Sequence, residues 1–203
     1  MKKYPFNAGW LFCKVGQEAD KRPVTLPHDA MLAEKRSTTS SGGAHISWFE
    51  GGDYAYEKTF AYENGAVDGA PLPPGGSALL EFEGVYRNAE VYLNGEKIAE
   101  RPYGYTNFYV DLTASLVEGE NRLRVLARNA KQPNSRWYTG SGIYRPVNLY
   151  ILPEKHIPLN GVRIRTTDHV RPQVEITVQT GIPGQVAVEI RKKGEERVLY
   201  RAG

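Results

Sequence analysis

Cysteine is almost missing from this chain: Cys13 stands alone among 203 residues. One thiol excludes an intrachain disulfide framework, and four scattered histidines with it make no metal-ligand spacing. Cys13 lies in the apolar run Trp10-Leu11-Phe12-Cys13 and reads as a buried thiol. Long hydrophobic runs are missing too, and no window approaches the ~20 apolar residues of a membrane helix. No membrane contact is expected. The opening "MKKYPFNAGW" has two lysines but no apolar stretch suited to a signal peptide, which favours a cytoplasmic location. Excess charge of one sign is small: 26 basic and 23 acidic residues leave +3, with no Lys/Arg run. That balance argues against a nucleic-acid partner. No phosphate loop appears, since "GGSALLEFEG" lacks the Gly-x-Gly-x-x-Gly order and leads into no helix. No cofactor is expected in this chain.

Strand signals fill the space that helices leave. A hydrophobic content of 40% is enough to bury a core. "ALLEFEGV" (78–85) alternates, with Leu80 and Phe82 on one face and Glu81 and Glu83 on the other, solvated, face. "AEVYLNGEKIAE" (89–100) reads as a hairpin, because Asn94-Gly95 favours a type I′ turn. "TNFYVDLT" (106–113) and "RPVNLYIL" (145–152) are further strands. "EGENRLRVLARN" (118–129) points Leu123, Val125 and Ala127 inward and Arg122, Arg124 and Arg128 outward. "DLTASLVEGEN" holds one short turn, capped by its Thr and Ser residues and ended by Gly119. Residues 35–47 read as a long polar loop, and the Pro/Gly-rich residues 64–77 as a surface connection. Short strands with turn residues between them describe an all-β sandwich or jelly roll. Thirteen tyrosines suit a carbohydrate-binding face and an all-β chain equally.

A boundary falls near "PEKHI" (153–157). Beyond it, "NGVRIRTT", "QVEITVQT" and "QVAVEIRKKGEERVLYRA" alternate cleanly, in the manner of an immunoglobulin-type sandwich. Such a domain needs roughly 100 residues, so an incomplete second domain and a truncated fragment are expected. The domains are therefore read as 1–153 and 154–203.

Several stretches, taken in order, resemble the N-terminal part of glycoside hydrolase family 2, the β-galactosidases, β-glucuronidases and β-mannosidases. "FNAGWLF" is similar to that family's first strand. "VTLPHDAM" resembles its V-x-L-P-H-D-W stretch, with Ala30 in the Trp position. "YAYEKTF" is similar to its W-Y-R-K-T-F strand, with Ala55-Tyr56-Glu57 at the first three positions. "FEGVYRNAEVYLNGEKIAERPYGYTNFYVDLT" is the strongest match, and "GENRLRVLARN" and "SRWYTGSGIYRPVNLYI" resemble the two segments that follow. The resemblance covers residues 6–153. It implies a galactose-binding-like jelly roll, then an immunoglobulin-like domain, then a TIM barrel carrying two catalytic glutamates.

Candidate residues follow from that resemblance and from residue chemistry. Retaining glycosidases use two carboxyl groups about 5 Å apart. Nothing here resembles the family's acid/base or nucleophile motif, so no catalytic residue is assigned. The resemblance sends the "SRWYTGSGIYR" loop toward the barrel mouth. Trp137 and Tyr138 offer flat apolar faces to a pyranose, and Arg136 and Ser135 offer hydrogen-bond donors. The same loop could instead plug a domain interface, with Arg136 paired to a barrel carboxylate. Some β-galactosidases of the family carry a sugar- and sodium-binding Asp near the position of Ser135. No acid stands there in this chain, and no metal is assigned. His28 and Asp29 of "PHD" are second candidates, against a capping role for Asp29. Asp53 is a weaker one. Tyr103, Tyr105 and Asn107 read as sheet-face packing, and Arg145 as a tie between loop and strand. The reading is the non-catalytic N-terminal part of a retaining β-glycosidase of the β-galactosidase kind, acting on a β-glycoside through a downstream barrel, with oligomer contacts. The alternative is a free-standing carbohydrate-binding module. Arg136 alone does not name the sugar.

Overall fold

Alternating apolar side chains turn one face of each strand inward, and that pattern builds the architecture. A computed structural model of the chain describes residues 1–202. It is 45% strand and 7% helix, the helix all in short 3₁₀ turns, so the chain is all-β. Two compact units divide it, Met1–Pro153 and Glu154–Gly203.

The first unit holds β1 (Lys2–Pro5), β2 (Trp10–Lys14), β3 (Arg22–Val24), β4 (Asp53–Glu63), β5 (Ala66–Val67), β6 (Ala70–Pro71), β7 (Ser77–Phe82), β8 (Ala89–Leu93), β9 (Glu96–Arg101), β10 (Phe108–Asp111), β11 (Gly119–Arg128) and β12 (Val147–Leu152). Four of them form one sheet in the order β1-β12-β7-β10. The other sheet runs β3-β2-β4-β11-β8-β9, extended beside β4 by β5 and β6. Every pairing is antiparallel. Trp10, Leu80, Phe82, Leu93, Val125 and Leu149 are buried members of one continuous core between the sheets. Burying a side chain of the Leu or Phe kind stabilises by about 1.5–3 kcal/mol. The Trp10 indole, fully buried, donates Nε1–H to the Phe6 carbonyl at 2.8 Å, so its polar atom is not stranded.

The expected hairpin is β8–β9. Asn94 (φ 52°) and Gly95 (φ 90°) are both left-handed, as a type I′ turn requires. Asn94 does more than turn: its side chain bonds the fully buried Asn121 at 2.9 Å. Leu123, Val125 and Ala127 are buried in β11, with Arg122, Arg124 and Arg128 on the opposite face. Cys13 is buried, as its apolar run predicts.

Four expectations are corrected. The 64–77 connection is not all surface loop: β5 and β6 form a small hairpin that buries Val67 and Ala70. The 35–47 loop is pinned by fully buried Ile46 and by a bridge from Arg36 to Phe49. The short turn at Thr113–Ser115 has no side-chain cap from Thr or Ser; the Asp111 carboxylate accepts from the Thr113 amide at 2.8 Å. Glu81 is not solvated. It is 6% exposed and accepts from Asn107, Tyr109, Asn148, Tyr150 and Lys3 at 3.0–3.3 Å. Polar side chains from β1, β10 and β12 cover it, so strict alternation misjudged a face that is polar yet closed.

The second unit contains β13 (Val162–Asp168), β14 (Gln173–Val178), β15 (Val188–Arg191) and β16 (Val198–Ala202). They pair as two separate antiparallel hairpins, β13–β14 and β15–β16.

Candidate functional site

Residues 129–146 link β11 to β12, and their base is polar but buried. Asn129, 1% exposed at the end of β11, donates to Ser141 Oγ at 2.8 Å and accepts from Asn134 at 2.9 Å and Gln132 at 3.2 Å. One buried amide therefore ties both limbs of the loop together. Gly140 and Gly142 have φ of +68° and +92°, which glycine adopts without strain. A Cβ on Gly140 would lie 2.7 Å from Asp29 Oδ2, and one on Gly142 would strike the Tyr56 hydroxyl. Gly142 also exchanges two backbone hydrogen bonds with Tyr86, at 2.9 and 2.7 Å.

His28 and Asp29 meet this loop. Asp29 Oδ1 accepts from the Met31 amide at 3.0 Å, capping the turn Ala30–Ala33. The same oxygen accepts from the Ser141 amide at 2.9 Å, and Oδ2 accepts from the Tyr138 hydroxyl at 2.6 Å. Burial first, then the Asp29 carboxylate, pushes the Tyr138 phenol above its ordinary value, so Tyr138 stays a neutral donor. Its ring packs on Phe49 at 5.6 Å. His28 Nδ1 lies 2.9 Å from the Tyr56 hydroxyl, and its ring packs on Phe12 at 4.6 Å. Burial, then the Arg22 charge, lowers its pKa from the ordinary 6.5.

A cavity of about 640 Å³ opens beside the loop tip. Tyr86, Arg87, Tyr103, Tyr105, Arg136 and Trp137 carry its chemistry, with Ser135 and Asn134 at the edge. Trp137 is 61% exposed and Tyr103 57%, an unusual display of ring surface. The indole is nevertheless fixed, because Trp137 Nε1–H donates to the Tyr105 hydroxyl at 3.1 Å. Tyr105 packs on Tyr86 at 5.3 Å and Tyr103 at 5.8 Å. The Tyr86 hydroxyl donates to Asn134 Oδ1 at 3.1 Å, and the Tyr144 hydroxyl to the Gly104 carbonyl at 2.8 Å. Ser135 Oγ bonds the Trp137 carbonyl and turns the tip. No carboxylate lines the cavity, and among the described residues neither arginine has an acidic partner.

The structure thus separates the sequence candidates. Ser135, Arg136 and Trp137 reach the cavity; Tyr138, Asp29 and His28 do not line it, Asp29 holding the loop through Tyr138 and Ser141 and His28 only through its backbone amide to the Ile143 carbonyl at 2.9 Å. Tyr103 and Tyr105, read as packing, pack against each other at 5.8 Å and also line the cavity. Asn107 bonds Glu81 at 3.0 Å. Asp53 clamps Arg128 at 3.4 Å and the Ala130 amide at 3.0 Å, outside the cavity. Arg145 lies over the Tyr144 ring at 5.2 Å. Sequence reasoning missed Asn129 and Arg87. An Asn at a strand end and an Arg in a loop carry no signal of their own. Among the described residues no three His, Cys, Asp or Glu side chains group as a metal site.

Comparison with known proteins gives this geometry a context. The family described as "Glycosyl hydrolase 2 galactose-binding domain-like" matches residues 28–155. The β-galactosidase BoGH2A of Bacteroides ovatus is 37% identical over 185 residues, covering 86% of this chain and 21% of that protein. A putative β-glucuronidase of Formosa agariphila is 30% identical over 161 residues, 79% of this chain and 15% of its own length. A crystal structure of a β-glycosidase from Bacteroides vulgatus superposes with a TM-score of 0.73 at 31% identity, over 88% of this chain and 24% of that one. The chain spans about a fifth of the length of the curated relatives it matches most fully. With residues 28–155 inside the matched family, this chain belongs to the glycosyl hydrolase 2 galactose-binding domain-like family, and its first unit is a galactose-binding-like β-sandwich.

Proposed function

We propose that this chain is the N-terminal, non-catalytic part of a retaining β-glycosidase of the β-galactosidase kind, which hydrolyses terminal β-linked sugars. In this reading the sandwich scaffolds a downstream barrel, the second unit begins an immunoglobulin-like domain, and the β11–β12 loop walls the sugar site. One observation carries it: Trp137 is 61% exposed yet fixed by Tyr105 on a rigid base. A pre-set indole gives a pyranose an apolar face without a large ordering cost. The named relatives include both β-galactosidases and β-glucuronidases, which supports the reaction class.

Retaining hydrolysis needs a carboxyl pair about 5–5.5 Å apart facing the substrate. The cavity lining has no Asp or Glu, so the pair would come from the rest of the polypeptide. Nitrophenyl β-galactoside and β-glucuronide, offered to the 203-residue chain and to the intact polypeptide, test this. Turnover is expected only from the intact polypeptide. Turnover by the chain, or none by either, overturns the proposal. A free-standing binding module is the second reading, favoured by a cavity whose walls all come from the first unit. It predicts sugar binding with no hydrolysis at all.

A further inference from the structure

The chain has three Asn-Gly pairs: Asn64-Gly65, Asn94-Gly95 and Asn160-Gly161. All three asparagines are left-handed, with φ of 51°, 52° and 64°. An asparagine before glycine can cyclise, because no side chain shields the glycine nitrogen from the amide carbon. Two conditions must hold: the side-chain amide must be free to swing onto that nitrogen, and the nitrogen must be free of other bonds. Sequence makes the three pairs alike, and their surroundings separate them. Asn94 fails the first condition. Its Oδ1 accepts from the Arg122 amide at 2.9 Å, and its Nδ2 donates to Asn121 Oδ1 at 2.9 Å and to the Ser115 carbonyl at 3.3 Å. Asn160 fails the second, since the buried Gly161 donates its amide to the Pro158 carbonyl at 2.8 Å. Asn64 meets both. It and Gly65 are exposed in the turn between β4 and β5. Among the described residues nothing bonds its side-chain amide or the Gly65 nitrogen. A Cβ on Gly65 would meet nothing nearer than the Leu72 carbonyl at 3.9 Å, so the turn is open.

We propose that Asn64 is a covalent modification site, at which the side chain deamidates through a cyclic imide to aspartate and isoaspartate. The Gly65 nitrogen gives its proton to hydroxide and bonds to Asn64 Cγ. The Cγ–Nδ2 bond then breaks, and ammonia leaves with a proton from water. A water opens the ring at either carbonyl. One water is consumed and one ammonia released, with no oxidation or reduction. The product places a new carboxylate beside Glu63, in a turn whose Asn64 amide already donates to Glu118 Oε1 at 3.3 Å. Its isoaspartate form also adds one carbon to the backbone of the hairpin that buries Val67 and Ala70. The proposal is independent of the glycosidase reading.

Timed peptide mass measurement gives the test. The chain and the intact polypeptide are each held warm at neutral and at mildly alkaline pH, then digested with trypsin. Cleavage after Lys58, Arg87, Lys97, Lys155 and Arg163 puts the three pairs on separate peptides. The Asn64 peptide is expected to gain one mass unit at least about tenfold faster than the other two, because the hydrogen bonds at Asn94 and Gly161 must break before cyclisation. Its rate should rise with pH, and isoaspartate methyltransferase should label it. Asn64→Gly, which keeps the left-handed turn, should remove that label. In guanidinium the three rates should converge. Equal rates in the folded protein, faster conversion at Asn94 or Asn160, or an unconverted Asn64 over a period in which the unfolded chain converts overturns the proposal. So does conversion in the chain but not in the intact polypeptide. A bias that persists in guanidinium would place its cause in the sequence and overturns it too.

Discussion

Glu81 and Arg136 mark two polar clusters of the same sandwich with opposite bonding. Around Glu81, five donors from β1, β10, β12 and the segment before β10 converge on one carboxylate that is 6% exposed. Burial alone would raise its pKa, but the bonds from Asn107, Tyr109 and Tyr150 and the Lys3 charge outweigh it and hold the carboxyl below the ordinary 4.5. Around Arg136, the rings are fixed but the cations have no acidic partner, and the space between them is open. A saturated cluster has nothing left to offer a ligand and holds structure. An unsaturated one on a rigid base is available for binding. Exposure separates the two less well than unfilled valence does.

Breaking the saturated side should have the largest effect. Glu81→Ala leaves five donors short of one acceptor and should cost about 2–3 kcal/mol in urea unfolding, with sugar binding unchanged. Its acid behaviour follows from the same cluster. A folded pKa below 4.5 means the unfolded chain binds more protons, so the stabilisation is present above pH 4.5 and is lost as pH falls through the lower folded value. Glu81→Gln should flatten that part of the acid unfolding profile.

Asn129→Ala sharpens the comparison because it strikes the point where a saturated base supports the open cup. It should cost about 1–3 kcal/mol and also weaken Trp137-dependent binding, since the two limbs of the loop lose their common partner. Stability loss with unaltered binding would mean the cup is held by Tyr105 and Tyr86 alone. At the small end, Arg136→Ala should change stability by no more than about 0.5 kcal/mol, as expected for an exposed side chain with no partner to lose.

What was legible in the sequence divides along the same line. The strands were readable because Leu123, Val125 and Ala127 alternate with arginines, and Asn94-Gly95 encodes its own turn. The 135–138 cluster stood out because its aromatic and guanidinium residues are adjacent in the chain, and three residues of the cluster, Ser135, Arg136 and Trp137, line the cavity. Glu81 was not, because its covering groups come from strands distant in sequence, and alternation reports polarity rather than exposure. The β5–β6 hairpin was hidden by its length and by the Pro and Gly around it. Tyr103 and Arg87 were not placed at the cavity because only the folded hairpin and loop bring them beside Trp137.

The most direct measurement is the steady-state kinetics of the intact polypeptide with Trp137→Ala on β-galactosides and β-glucuronides, alongside its unfolding midpoint. The account predicts a fall in kcat/KM of about tenfold or more with an unchanged midpoint, since an exposed sugar platform is removed and no core contact is lost. Unaltered kcat/KM on every substrate the intact polypeptide hydrolyses would contradict the claim that this loop walls the sugar site.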